Sequence, residues 1–224
     1  DPYDISLGLT LSDRDARSAA ITETADAAQA LAAEYEAELT DLVRLTWYQT
    51  YFWPGSGEEL SAGIVSVGQY NEMTDSQYLL APDELLFIGG SESSIQYFRD
   101  QLEGSFSIQT VADGKPLPLR DGVLDKSSTL ILTADEDALS NVLAVMYDAE
   151  PGDDLTHMID ECLYFDVNLS QEDGLAFSDR LSEKFAEIVS AASTDGGYGT
   201  RFSSIFTDRA ASLGTYGGLL VLGV

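Results

Sequence analysis

A chain of 224 residues with 44% apolar and 10% aromatic side chains has the material for a full hydrophobic core, which excludes a disordered segment. Its 39 acidic residues face 11 basic ones, for a net charge of -28. That balance excludes a nucleic-acid binder or a basic anchor for anionic lipid, because either needs Lys and Arg clusters that the sequence lacks. Cationic peptides and metal cations would be attracted, over the ~8–10 Å that physiological salt leaves unscreened; acidity also keeps an exposed domain soluble.

The first element is a strand, because Tyr3 to Leu11 alternates as a half-buried strand does. Ser12 with Asp15 then predicts a helix start, followed by Ala20, Thr24, Ala27, Ala28, Leu31 and Tyr35 on one face at helical spacing. Leu42 to Trp53 predicts a second strand, with Val43, Leu45, Trp47, Tyr51 and Trp53 on one face. Such an aromatic face serves as core, as an interface between subdomains or as a platform on which a ligand stacks. Pro54 to Glu59 is a hairpin tip or a subdomain boundary, which puts a division near residues 54–62. Ile64 to Tyr70 predicts another strand.

The alternation of strand and helix then repeats. Glu84 to Ile88 leads through Gly89-Gly90-Ser91 to a helix with Ile95, Phe98 and Leu102 inward. Phe106 to Ala112 predicts a strand closed by turn residues Asp113-Gly114 and Lys115-Pro116. Ser128 to Thr133 leads through Ala134-Asp135-Glu136-Asp137 to a helix bearing Leu139, Val142, Leu143 and Met146. Leu163 to Leu169 leads through Ser170, with Asp173, to a helix bearing Phe177, Leu181, Phe185, Ile188 and Ala192. Ser193 to Gly199 separates this body from the last segment. Four strand-then-helix units with further strands between them predict an α+β fold with mixed sheets and two subdomains.

No catalytic constellation accompanies this framework. The single histidine, His157, and the single cysteine, Cys162, stand five residues apart, and no Gly-x-Ser-x-Gly elbow is present. Cys162 lies in the apolar run Cys162 to Phe165, where an inert buried thiol is expected. Neither glycine-rich phosphate motif occurs, so no nucleotide cofactor is expected. One His and one Cys do not make a zinc site. Asp135-Glu136-Asp137 and Asp153-Asp154 lack the spacing of a calcium hand, which leaves calcium open. Catalytic carboxylates among 39 acids would not stand out by pattern.

From Leu213 to Val224 the chain carries no charge. Twelve residues are too few to span a bilayer, which takes about 20, but they fit the opening of a membrane helix with Tyr216 at its mouth. A last buried strand or core helix is the alternative. The chain begins Asp1-Pro2 with neither Met nor a leader pattern, so it is expected to belong to a longer polypeptide. Thr207-Asp208-Arg209 through Tyr216, Gly217, Gly218, Leu219, Leu220, Val221, Leu222 and Gly223 resembles the membrane re-entry of FtsX-like ABC transporter permeases, especially the Gram-positive bacitracin-export type. Tyr3 to Leu7 resembles the first strand after the preceding membrane helix, and Leu86-Phe87-Ile88 with Ser91 resembles a strand-Ser-helix element of these domains.

The resemblance implies an extracellular α+β domain over residues 1–212 and a membrane junction over 213–224, formed by Tyr216, Gly217, Gly218, Leu219 and Leu220. It implies a protein of the cell membrane with this domain on the outer face, moved by ATP hydrolysed on a separate cytoplasmic ABC ATPase subunit. The chain itself would then carry no catalytic residue, no cofactor and no enzymatic activity. A sensor histidine kinase and a cationic antimicrobial peptide are the further partners implied. Two other readings stand beside it: an extracellular binding protein that holds a ligand on its aromatic face, and a hydrolase with two inward carboxylates.

Overall fold

The structure is a computed structural model and describes residues 3–52, 60–120, 123–124, 128–150, 153, 155–193 and 198–208. It is an α+β fold in which strand-then-helix units build mixed sheet. The chain divides into two compact units, the first made of Asp1–Arg44 with Glu161–Val224, the second of Leu45–Asp160. The second is therefore an insertion into the first.

The first unit contains β1 (Ile5–Leu11), α1 (Arg14–Glu34), the start of β2 (Leu39–Phe52), β7 (Asp160–Val167), α5 (Gln171–Ala192) and β8 (Tyr198–Ser204). The strand order is β2-β7-β1-β8. Each helix carries the chain over one strand supplied by the other half, which is the split βαβ plan of ferredoxin-like folds. Alternation turns Ile5, Leu7, Leu9 and Leu11 of β1 and Leu163, Phe165 and Val167 of β7 toward Ala20, Ile21, Ala28 and Leu31 of α1 and Phe177, Leu181, Phe185 and Ile188 of α5. Each large side chain so buried stabilises the fold by about 1.5–3 kcal/mol.

Capping residues set the helix starts. Asp13, rather than Ser12, caps α1, its carboxylate accepting from the Ala16 amide at 2.9 Å. Ser170 caps α5 as the sequence predicts. Gly174 lies inside α5 because the Phe206 ring occupies the place of a side chain: a Cβ there would stand 2.3 Å from the ring.

The second unit contains the remainder of β2, then β3 (Leu60–Ser66), α2 (Val67–Thr74), β4 (Glu84–Ile88), α3 (Glu92–Leu102), β5 (Ser107–Val111), β6 (Thr129–Thr133) and α4 (Glu136–Met146). Its order is β5-β4-β6-β3-β2, with β3 parallel to β6, β4 parallel to β5, and the pairs β4–β6 and β2–β3 antiparallel. One sheet face presents Tyr48, Ala62, Ile64, Leu85, Phe87 and Ile131 to Phe98 and Leu102 of α3 and to Leu139, Val142 and Leu143 of α4.

The strand predicted over Ile64 to Tyr70 stops at Ser66. The Ser66 hydroxyl accepts from the Gln69 amide and caps α2, adding a fifth strand-then-helix unit. Local capping there overrides the β propensity of the run.

The helix ends share an unusual device. Glu36, Asp75 and Asp148 follow α1, α2 and α4 in the left-handed region, at φ 55°, 51° and 48°. Around Asp148 the Ala149 amide donates to the Ala144 carbonyl at 2.9 Å and the Asp148 amide to the Val145 carbonyl at 3.3 Å. This is a Schellman closure with an acid where glycine is usual.

Candidate functional site

On the sheet face of the second unit opposite α3 and α4, β4 and β6 present Ile88 and Leu130, whose registers oppose each other. Described residues of the connection between β5 and β6, Gly114, Pro116, Leu117, Leu119 and Leu124, lie over this face. Face and connection meet around a cavity of about 220 Å3, floored by Ile88 and Leu130, walled by Pro116, Leu117, Leu119 and Leu124, and bordered by Gly89, Gly90, Gly114 and Ser128. Two glycines are needed for this closeness. A Cβ on Gly114 would lie 2.4 Å from Ile88, and one on Gly90, at φ +90°, would lie 2.3 Å from the Thr129 hydroxyl.

The polar groups here are engaged. The Ser128 and Ser61 hydroxyls bond each other at 2.6 Å, the Ser94 hydroxyl donates to the Ser61 carbonyl at 3.0 Å, and the Thr129 hydroxyl donates to Ser94 at 3.0 Å. The Lys115 ammonium is turned to the Thr74 carbonyl at 2.6 Å and the Asp75 carbonyl at 3.3 Å. The cavity is thus an apolar recess whose one hydroxyl is already paired.

Of the predicted aromatic face, Trp47 is buried at 1% exposure, beside Gly63 and Leu124. Its indole Nε1 has no hydrogen-bond partner among the described residues. Tyr51 is 47% exposed and its phenol accepts from the Gln49 amide. Trp53 lies outside the described residues. Trp47 is therefore core, and Trp47 and Tyr51 do not form one stacking platform: they share a strand face, but only one of them is covered. On the opposite face of β2, Tyr48 bonds the Tyr147 phenol, and burial first, then that bond, pushes the Tyr48 phenol well above the usual range.

The first unit holds a buried ionic cluster that the sequence reading missed. Glu161 is buried in β7 and receives the Arg44 Nε at 2.6 Å, with a second Arg44 nitrogen closing the ion pair. Its other oxygen faces Arg17 at 3.6 Å. Arg17 is fully buried and donates to the Leu11 carbonyl at 2.9 Å. Arg44 also reaches the Thr22 hydroxyl at 2.9 Å and the Ser18 hydroxyl at 2.8 Å on α1. The available signal was Arg17 three residues before Ala20 on the apolar stripe of α1, and Glu161, next to Asp160, leading into the apolar run Cys162 to Phe165.

The remaining candidates separate. His157 is exposed on a 3-10 turn, Thr156–Met158. Cys162 is fully buried, and the Arg201 guanidinium donates to its Sγ at 3.4 Å. Asp135 caps α4 through the Ala138 amide, and Asp153 accepts from the Glu150 amide. Asp154 lies outside the described residues. Among the described residues no cluster of His, Cys, Asp or Glu is placed to hold a metal ion, and no helix is long and apolar enough to cross a membrane. Tyr216, Gly217, Gly218, Leu219 and Leu220 lie outside the described residues. The chain matches no protein-family model, no curated protein and no solved structure.

Proposed function

We propose that this chain is the extracytoplasmic domain of an FtsX-like ABC transporter permease, held between two membrane helices and moved by ATP hydrolysis on a separate cytoplasmic subunit. The observation that carries the reading is the pairing of the first and last described strands. Ile5 lies opposite Ser204, the Ile205 amide donates to the Asp4 carbonyl at 2.9 Å, and the chain enters and leaves the first unit at the same end. A domain inserted between neighbouring membrane helices needs this geometry. The resemblance of Thr207 to Gly223 to a membrane re-entry supports the same placement, and the charge of -28 suits a cationic peptide as the molecule handled outside.

Adjacent termini are a general habit of domains, so the deciding experiment is topological. The complete reading frame, expressed in a Gram-positive host, is fractionated, and intact cells are treated with external protease. The expected result is an integral membrane protein cleaved within this domain from outside. A soluble product, or a domain protected until the cells are lysed, overturns the reading and leaves an extracellular binding protein or a hydrolase to be tested.

A further inference from the structure

We propose that the cavity above β4 and β6 in the second unit is a binding site for an uncharged apolar group, a single aromatic ring or a branched aliphatic chain of the same bulk. The size sets the class. Apolar cavities of about 150 Å3 lined by Leu, Ile and Phe stay dry and take up benzene or xenon, and this one measures about 220 Å3. That holds one ring with a short substituent, and it falls below the ~300–1,000 Å3 of sites for drug-sized molecules.

The lining sets the polarity. Ile88, Leu130, Pro116, Leu117, Leu119 and Leu124 offer no donor or acceptor from their side chains, and the Ser128 hydroxyl already bonds Ser61. The side chains thus offer a polar guest atom nothing beyond the paired Ser128 hydroxyl, whereas an apolar guest gains the area it removes from water. The recess opens to solvent at a mouth, so a guest that fills it removes apolar wall from water.

The electrostatics set the sign. The four basic residues between Leu45 and Asp160 are Arg99, Lys115, Arg120 and Lys126, in a segment otherwise crowded with Asp and Glu. Of these, Lys115 is turned to the carbonyls that close α2, and Arg99 donates to the Thr110 hydroxyl at 2.6 Å. The acidic excess of the segment disfavours an anion approaching from solvent, an effect that Lys115, Arg120 and Lys126, which lie in the sequence beside the cavity-wall residues, reduce at close range.

Benzene, benzylamine and benzoate test the three statements together, since they share one ring and differ in charge. Each is titrated into the full chain, and backbone amide shifts are followed by NMR. The expected result is saturable shifts centred on Ile88, Gly90, Leu117 and Leu130 with benzene and benzylamine, and affinity for benzoate weaker by about tenfold or more. Leu130→Phe fills the space and abolishes the shifts. Leu117→Phe does the same from the opposite wall if Leu130→Phe fails to fold, as judged by circular dichroism. Absence of saturable shifts with benzene at its solubility limit overturns the site. So does binding retained in a folded, filled variant, and equal affinity for the three probes overturns the charge preference. None of these outcomes depends on whether the chain is attached to a membrane.

Discussion

The two units stabilise their buried polar groups by different chemistry. In the first, buried hydroxyls such as the Ser178–Ser204 pair are accompanied by ions: Arg17 is fully buried with Glu161 beside it, and Arg44 closes the cluster from the half-exposed side. In the second the buried polar groups are hydroxyls and phenols, in the chain Thr129–Ser94–Ser61–Ser128 and in the Tyr48–Tyr147 pair. An ion in the interior cannot lose its partner cheaply, whereas neutral hydroxyls tolerate rearrangement but must remain protonated. The units should therefore fail under different insults, and both tryptophans, Trp47 and Trp53, belong to the segment of the second. Tryptophan fluorescence then follows the second unit while far-UV circular dichroism follows both.

The largest expected effect is in the first unit. Glu161→Leu leaves Arg17 buried without its carboxylate and should cost about 3–5 kcal/mol. Urea titration should show the dichroism transition moving while the fluorescence transition stays. If both move equally, the units unfold as one and the comparison between them collapses. Next, Gly174→Ala drives a methyl into the Phe206 ring and should cost about 1–3 kcal/mol by overpacking, against the usual benefit of Ala in a helix. The double variant Gly174→Ala/Phe206→Ala separates that clash from the loss of the ring, because the two effects should not add.

Alkali should single out the second unit. Burial is the first cause that raises the phenols of Tyr48, Tyr70 and Tyr97, all within Leu45–Asp160. A phenol kept neutral in the folded state, but free to ionise near about pH 10 when unfolded, supplies stability that is complete below that pH and is lost as pH rises above it. The fluorescence transition should shift to lower urea across that window, and Tyr48→Phe should blunt the shift. A fluorescence midpoint that is flat with pH would contradict the distinction. The smallest effect has the opposite sign: Asp148→Gly relieves the left-handed backbone after α4 and should stabilise the second unit by about 0.5–1 kcal/mol, read from the same fluorescence midpoint.

The amphipathic elements were legible because burial is periodic. The helices with Phe98 and Leu102, with Leu139 and Val142, and with Phe177 and Leu181 stand where spacing puts them. Helix ends were not legible, since Glu36, Asp75 and Asp148 occupy positions that a reader expects glycine to mark. The run from Ile64 to Tyr70 misled because its β-branched start continues into Tyr70, which packs as fully buried helix. The apolar cavity had no signature at all. Its walls come from three separate stretches, and Pro116, Leu117 and Leu119 look like an ordinary turn until Ile88 and Leu130 are brought beneath them. The ionic cluster joins residues 17, 44 and 161, a distance in sequence that periodicity cannot bridge.

The β1–β8 ladder has a mechanical consequence. Its antiparallel pairs run from Ile5 with Ser204 to Leu11 with Tyr198, and Asp4 and Ile205 lie together beyond the Ile5 end. Drawing those two residues apart loads the pairs one after another, as in opening a zipper, whereas moving them together puts no load on the ladder. A pull shared by Asp4 and Ile205 in the same direction therefore leaves this ladder closed, and a pull that separates them opens it from that end.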